Sequence, residues 1–131
     1  MPGILIIEDD RNIAKALEIR LKGLGAAITV AYEGLTGLKL ALTQNPEVII
    51  MDIWMPIGLG FSVAQRLAAL GRKASIIFIT ASKLQGLRSE AEKLGASAYF
   101  EKPYDPEKLL SAVKHGLGME PSQKTLEACK A

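Results

Sequence analysis

Asp52 is the first residue in this sequence whose position suggests chemistry. It follows the apolar run Val48–Met51 and precedes Ile53–Pro56, a short segment that ends in a proline. An apolar run rich in Val and Ile is typical of a strand buried on both faces, as parallel strands in α/β proteins are. Asp52 would then stand where that strand leaves the core. A carboxylate in this place either caps the following turn or has a functional role.

Reactive side chains also follow three other apolar runs. The first predicted strand leads into the acidic sequence Glu8-Asp9-Asp10, the fourth ends in Thr80, and the fifth runs into Lys102. In a parallel α/β sheet, ligands bind beyond the carboxyl ends of the strands, at the point where the strand order reverses. We therefore expect these groups to meet Asp52 at one edge of the sheet.

Closely spaced carboxylates raise one another's pKa unless a cation lies between them. Magnesium prefers oxygen ligands, takes one or two carboxylates and often a phosphate oxygen, and suits an acidic cluster without histidine. A carboxylate can also attack phosphorus and form an aspartyl phosphate, while a metal and a lysine neutralise the transferring group. The sequence thus predicts a divalent cation and phosphoryl chemistry. The alternative for Glu8, Asp9 and Asp10 is a solvated acidic loop before a helix N-terminus, with Asp10 as the helix cap.

The spacing of apolar residues predicts strands and helices that alternate along the chain. Asp105-Pro106-Glu107 supplies a capping side chain, a proline suited to the first helical position and an acid in the first turn of the last helix. The alternation predicts an α/β fold with a parallel sheet, helices on both faces and right-handed crossovers. The predicted strands are 3–8, 28–32, 48–52, 75–80 and 98–101, and the predicted helices are 11–24, 34–44, 61–71, 84–94 and 106 to about 116–118.

Composition narrows the class of protein. The 131 residues are 49% apolar and 23% charged, which favours one soluble globular domain, predicted over residues 1–118 with a loose tail at 119–131. No apolar run approaches the ~20 residues of a membrane span, and no basic segment precedes the first strand, so we expect a cytoplasmic protein that contacts no membrane. Cys129 has no second cysteine to pair with. The net charge of +2 is dispersed, so direct nucleic-acid binding is not predicted.

Four short motifs, in order and suitably spaced, resemble the receiver domain of two-component response regulators. The resemblance covers residues 3–117. It implies a flavodoxin-like (βα)5 doubly wound sheet with strand order 2-1-3-4-5. The motifs are Ile4-Leu-Ile-Ile-Glu-Asp-Asp10, Met51-Asp-Ile-Trp-Met-Pro56, Ile79-Thr-Ala-Ser82 and Gly95-Ala-Ser-Ala-Tyr-Phe-Glu-Lys-Pro103.

The resemblance implies a role for each residue at the predicted site. Asp52 resembles the phosphoacceptor, Glu8 and Asp9 the acidic pair that binds Mg²⁺, and Lys102 the cationic partner of the phosphoryl group. The family also uses as metal ligand the backbone carbonyl two residues after the phosphoacceptor, which falls on Trp54.

Three further expectations come from the same resemblance. Thr80 resembles the switch hydroxyl, Tyr99 the aromatic side chain whose rotation reports phosphorylation, and Pro103 the residue after a cis peptide bond.

The implied protein is not an enzyme with a separate substrate: it promotes its own phosphorylation and dephosphorylation. Its partners would be a histidine kinase or histidine phosphotransfer protein and a downstream output protein, and it would be a monomer or weak homodimer.

The sequence departs from the family pattern at two places. Receivers commonly have Met-Asp-Gly after the proline, whereas this chain has Gly58-Leu59-Gly60. Many regulators that dimerise through the fourth and fifth helices have acidic residues before the switch aromatic and an arginine after Lys-Pro. Here those regions contain Ser97, Ala98 and Glu107-Lys108, so that charged dimer face is not predicted.

Each candidate residue also has a purely structural interpretation. Thr80 is an ordinary β-branched strand residue, Lys102 a surface charge, and Tyr99 a packing residue. His115, the only histidine, is predicted to face solvent late in the last helix.

Three other functions compete with the receiver interpretation. A receiver-like interaction module that is never phosphorylated would share all four motifs. A metal-dependent phosphatase with an aspartate nucleophile typically needs a second acid two residues on, where this chain has Trp54. A flavodoxin needs a phosphate-binding Ser/Thr/Gly loop after the first strand, where this chain has three acids.

Trp54 generates the first prediction. We hypothesise that its indole shields the phosphoryl group on Asp52 from water and prolongs the phosphorylated state; the alternative is an apolar contact for a partner protein. Trp54→Asn should then lose phosphate faster than the wild type, measured as the dephosphorylation rate after the donor is removed. Equal rates would leave the partner contact as the better interpretation.

Overall fold

A computed structural model describes residues 2–53 and 59–119 of the chain, and all structural statements below concern those ranges. Five parallel strands form one sheet in the order β2-β1-β3-β4-β5, which confirms the flavodoxin-like α/β fold predicted from the sequence. The order reverses between β1 and β3, at the centre of the sheet. The strands are β1 (Gly3–Ile7), β2 (Ala27–Ala31), β3 (Val48–Asp52), β4 (Ser75–Thr80) and β5 (Ala98–Glu101).

One helix follows each strand, and the helices cover both faces of the sheet. They are α1 (Arg11–Leu21, continued by a 3₁₀ turn at Lys22–Leu24), α2 (Gly34–Gln44), α3 (Leu59–Ala69), α4 (Leu87–Lys93) and α5 (Pro106–Gly116). Alternate residues of each strand point to opposite faces, so the central strands contribute to two separate hydrophobic clusters. One cluster lies against α1 and α5 and includes Ile4, Ile6, Ile50, Leu17 and Leu109. The other lies against α2, α3 and α4 and includes Leu5, Ile7, Met51, Phe78, Leu67 and Ala91.

Two helices begin as their capping residues predict. Asp10 accepts hydrogen bonds from the backbone N–H groups of Asn12 and Ile13 at 2.9 and 3.1 Å, and so caps α1. Asp105 accepts one from Glu107 at 2.9 Å and caps α5. These bonds satisfy N–H groups that have no partner inside the helix.

Two other predictions from the sequence are also confirmed. The Lys102–Pro103 peptide bond is cis. His115 is exposed in the last turn of α5.

The helical spacing of Leu35, Leu38 and Leu42 predicts that these three residues form the apolar face of α2, and this prediction is wrong at Leu35. Leu35 is 73% exposed, and the helix is buried at Gly34, Gly37 and Ala41 instead. The reason is the close approach of α2 to β1: a Cβ atom on Gly37 would lie 2.5 Å from Cδ1 of Ile7. Small residues therefore lie closest to the sheet, and Leu38 and Leu42 pack against the same cluster while partly exposed.

Two predicted helix starts also differ from the structure. We predicted that the fourth helix includes Leu84, but α4 begins at Leu87 and Leu84 is 63% exposed. Gly86 has φ of +88°, a left-handed conformation that cannot continue a helix from Leu84. We assigned Leu59 and Gly60 to a loop, but α3 begins at Leu59.

No helix within residues 2–53 and 59–119 combines the length and the apolar character that crossing a membrane requires.

Gly60 generates the second prediction, because it lies against the backbone at the end of β3. A Cβ atom there would lie 2.6 Å from the carbonyl oxygen of Asp52 and 2.8 Å from Cα of Ile53. Gly60→Ala should lower the free energy of unfolding by about 1–2 kcal/mol, since overpacking outweighs the better helix propensity of alanine. Urea unfolding followed by circular dichroism measures the change. Gly23→Ala is the matched control, because no heavy atom lies within 4 Å of its added Cβ; equal losses in both variants would contradict the prediction.

Candidate functional site

The predicted site residues meet at the carboxyl edge of the sheet. Glu8 directly follows β1, Asp52 ends β3, Thr80 ends β4, and Lys102 directly follows β5. The register pairs Asp52 with Ile79 and Thr80 with Glu101, so the strand ends are level with one another. This edge includes the switch point between β1 and β3, where α/β sheets of this kind bind ligands.

Three carboxylates form an acidic cluster at this edge, which we define as Glu8, Asp9 and Asp52. One oxygen from each lies within 4.8 Å of the others. Glu8 is buried, Asp52 is partly buried and Asp9 is exposed, so the cluster opens to solvent on the Asp9 side.

The ammonium group of Lys102 lies between two of these carboxylates. Its Nζ is 3.4 Å from Oδ2 of Asp52 and 3.5 Å from Oε1 of Glu8. The Lys102 side chain is only 21% exposed, so water screens these contacts less than it screens pairs on the open surface. The positive charge of Lys102 between two carboxylates partly offsets their mutual repulsion, which makes the cluster unfavourable.

Glu8 is the carboxylate most perturbed by this environment. Burial raises its pKa from 4.5 to about 7, and the nearby charge of Asp52 adds to the increase. The hydrogen bond that Glu8 accepts from the backbone N–H of Asp10, 3.2 Å long, and the charge of Lys102 both act in the opposite direction. The metal-free protein therefore binds a proton at Glu8 near neutral pH.

The donor set of the acidic cluster fits a hard divalent cation. Its three groups offer only carboxylate oxygens, the ligands that Mg²⁺ prefers, and their spacing allows oxygens from all three to surround one ion. A cation would also remove the charge repulsion that raises the pKa of Glu8. The remaining predicted ligand, the backbone carbonyl of Trp54, lies outside the described residues.

Thr80 lies behind the cluster and is fully buried. Its Oγ1 accepts a hydrogen bond from the backbone N–H of Ser82 at 3.0 Å, and its carbonyl accepts one from the backbone N–H of Lys102 at 2.8 Å. The hydroxyl is therefore tied to the segment between β4 and α4. The hydroxyl hydrogen is not used in the bond from Ser82 and is available to a further acceptor.

Tyr99 lies on the α4 side of the sheet and is 8% exposed. The guanidinium of Arg88, on α4, lies 4.7 Å from the centre of the Tyr99 ring, within the range of a cation–π interaction. Burial raises the pKa of the Tyr99 hydroxyl. The sequence did not indicate Arg88 as a partner of Tyr99, because no spacing or motif relates an exposed arginine in a short helix to an aromatic residue on a strand.

A second contact between the same regions was also not predicted. Lys83, in the segment between β4 and α4, places its Nζ 3.1 Å from Oε2 of Glu101 and 3.3 Å from the carbonyl oxygen of Lys102. Lys83 and Glu101 are separated by 18 positions in the chain. No local periodicity relates them, so only the assembled sheet reveals the pair.

The chain is similar to known proteins over most of its length. Residues 4–114 match the family model described as the response regulator receiver domain, and the chain belongs to that family. It is 32% identical over 111 residues to the transcriptional regulatory protein DltR of Streptococcus agalactiae, covering 85% of this chain and 50% of that protein. It is 37% identical over 121 residues to the DNA-binding dual master transcriptional regulator RpaA of Synechocystis, covering 87% and 48%.

Solved structures show the same likeness. The receiver domain of the Francisella response regulator 1452 superposes with a TM-score of 0.82 at 28% identity, covering 90% of this chain and 98% of that one. A response regulator receiver protein from Burkholderia phymatum gives a TM-score of 0.78 at 32% identity, covering 92% and 98%. The chain spans about half the length of the curated relatives named above.

The raised pKa of Glu8 generates the third prediction. Glu8 contributes stability that is fully present below pH 4.5 and is lost as the pH rises through about 7, because the folded state resists its ionisation. In metal-free protein, Glu8→Gln should therefore match the wild type near pH 4 and exceed its free energy of unfolding by about 1–3 kcal/mol near pH 8.5. Urea unfolding in the presence of a chelator measures both values.

Glu92→Gln, at an exposed position on α4, is the matched control and should show no such pH-dependent gain. Saturating Mg²⁺ should remove the advantage of Glu8→Gln, since the ion stabilises the ionised carboxylate. A pH-independent difference between Glu8→Gln and wild type would contradict the prediction.

Proposed function

We propose that this receiver domain accepts a phosphoryl group on Asp52 from a histidine kinase or histidine phosphotransfer protein, in a reaction that uses Mg²⁺. The observation that supports this most directly is the position of Lys102, whose ammonium lies 3.4 Å from Asp52 beside two further carboxylates. A phosphoryl group joined to Asp52 would meet a cation already in place. A surface aspartate that only caps a turn needs neither the lysine nor the neighbouring acids.

The reaction follows from the chemistry of the groups. A carboxylate oxygen of Asp52 attacks phosphorus, a new O–P bond forms, and the P–N bond to the donor imidazole breaks with its electron pair left on nitrogen. Lys102 balances the negative charge of the transferred group. A bound Mg²⁺, held by Glu8, Asp9 and Asp52, would supply further positive charge to the phosphoryl oxygens. Thr80 can donate its hydroxyl hydrogen to one of those oxygens.

The proposed output is a change of the surface formed by α4, β5 and α5. The Thr80 hydroxyl is bonded to the β4–α4 segment and the Thr80 carbonyl to the start of the β5–α5 turn, so a movement of the hydroxyl alters the β4–α4 segment next to that turn. A buried hydroxyl with two alternative partners is a two-state element of the kind that switches use. A kinase or phosphotransfer protein and a downstream output protein are the proposed partners. Because the chain acts on its own side chain, it is a signalling protein and not an enzyme with a separate substrate.

The fourth prediction tests the phosphoacceptor. Incubation with acetyl phosphate and Mg²⁺ should add one phosphoryl group to the wild type, measured by intact-protein mass spectrometry, and a chelator should abolish the gain. Asp52→Asn should show no gain. Asp105→Asn is the matched control, because asparagine also caps helices and this position lies outside the site.

Two outcomes would overturn the proposal. A mass gain that survives in Asp52→Asn would move the acceptor elsewhere. No gain in the wild type would favour the alternative, a receiver-like interaction module that phosphorylation does not regulate.

A further inference from the structure

We propose that Lys83 is a positioning residue that holds the segment between β4 and α4 in the conformation of the unphosphorylated protein. The inference rests on the proposed function and identifies a residue that none of the motifs includes. The segment comprises residues 81–86, between the end of β4 and the start of α4. Lys83 extends from it to β5, where it contacts Glu101 and the carbonyl of Lys102 at 3.1 and 3.3 Å.

These contacts complete a closed circuit of hydrogen bonds that includes Thr80 and Lys102. Ser82 donates its backbone N–H to Oγ1 of Thr80 at 3.0 Å, and Lys102 donates its backbone N–H to the carbonyl of Thr80 at 2.8 Å. Lys83, adjacent to Ser82, donates to the carbonyl of Lys102 and closes the circuit. Leu84 is also held, through its backbone N–H to Oγ of Ser82 at 3.2 Å.

The circuit makes the position of Lys83 depend on the Thr80 hydroxyl. If Thr80 rotates toward a phosphoryl group on Asp52, its oxygen leaves the N–H of Ser82 without this partner. The N–H of Ser82 is only partly buried, and a backbone N–H that is shielded from water is unfavourable without an acceptor, so the segment rearranges to give it another one. Lys83 is one residue further along, so a rearrangement of the segment alters its contacts with Glu101 and with the Lys102 carbonyl. The Lys83 contacts therefore exist in the unphosphorylated conformation and oppose the change.

The contribution of Lys83 is small because the pair is exposed. The Lys83 and Glu101 side chains are 65% and 41% exposed, and ion pairs of this kind shift an equilibrium by a factor of about two to five. A bias of this size affects the balance of two conformers without fixing either of them. It suits a contact that phosphorylation must break.

Amide NMR spectra can measure this balance directly. For each amide from Thr80 to Gly86, the wild-type chemical shift is measured with Mg²⁺ alone and with Mg²⁺ plus beryllofluoride, a phosphoryl mimic. These two positions in the spectrum are the ends of a straight line. Without beryllofluoride, Lys83→Met should lie displaced along those lines toward the activated end. The expected increase in the ratio of activated to inactive conformer is about two- to fivefold.

Two variants serve as controls. Lys83→Arg keeps the positive charge and should return the amides to the wild-type positions. Lys39→Met removes an exposed lysine on α2 that makes no ion pair within the described ranges. It should leave the amides at their wild-type positions. Glu101→Gln keeps the contact to the Lys102 carbonyl, so its displacement should be smaller than that of Lys83→Met.

The possible results separate the two proposals. If the wild type responds to beryllofluoride but Lys83→Met stays at the wild-type positions, or moves off the lines, the role of Lys83 is overturned and the proposed function stands. If the wild type itself does not respond to beryllofluoride, the proposed function fails and the role of Lys83 fails with it.

Discussion

The electrostatic balance at the carboxyl edge of the sheet is the constraint on which the site depends. Glu8 and Asp52 are brought out of full contact with water at the ends of two adjacent strands, and Asp9 adds a third negative charge. Such a cluster is unfavourable by itself: burial, with a smaller contribution from the charge of Asp52, raises the pKa of Glu8 to about 7. Lys102 reduces the cost but leaves three acids facing one ammonium group. The site is therefore arranged to gain stability from added positive charge.

The fold supports this arrangement by burying the strands that carry it. β1 and β3 lie inside the sheet with helices on both sides, so their apolar residues fix the backbone up to the point where Glu8 and Asp52 emerge. A one-residue change in register would reverse every side chain between the two faces, and the packing on each face prevents it. The close approach of α3 at Gly60 places helix backbone directly against the carbonyl of Asp52.

Sequence reasoning predicted those features that are encoded locally. Apolar runs that end in Glu8, Asp52 and Thr80 mark buried strands, and the topology of a parallel sheet then brings the ends together. Leu35 was misplaced because the spacing of leucines does not reveal that Gly37 must face Ile7. The pairs Lys83–Glu101 and Arg88–Tyr99 were missed for a related reason. Each pair joins an exposed side chain of the region from Lys83 to Arg88 to a residue of β5. Its proximity depends on the conformation of the β4–α4 segment, which Gly86 alone does not specify.

The ionic contacts of Lys102 at the site are much stronger than the surface contacts of Lys83 and Arg88. At the site, unit charges about 3.5 Å apart interact by roughly 4–5 kcal/mol at an effective dielectric constant near 20. On the surface, the Lys83–Glu101 pair contributes at most about 1 kcal/mol, and an exposed cation–π contact such as Arg88–Tyr99 about 0.5–1 kcal/mol. A new charged group at Asp52 therefore changes interactions that are stronger than the surface contacts of the β4–α4 segment and α4. Because Thr80 connects the two regions through the N–H of Ser82, the stronger interactions determine which conformation the weaker ones allow.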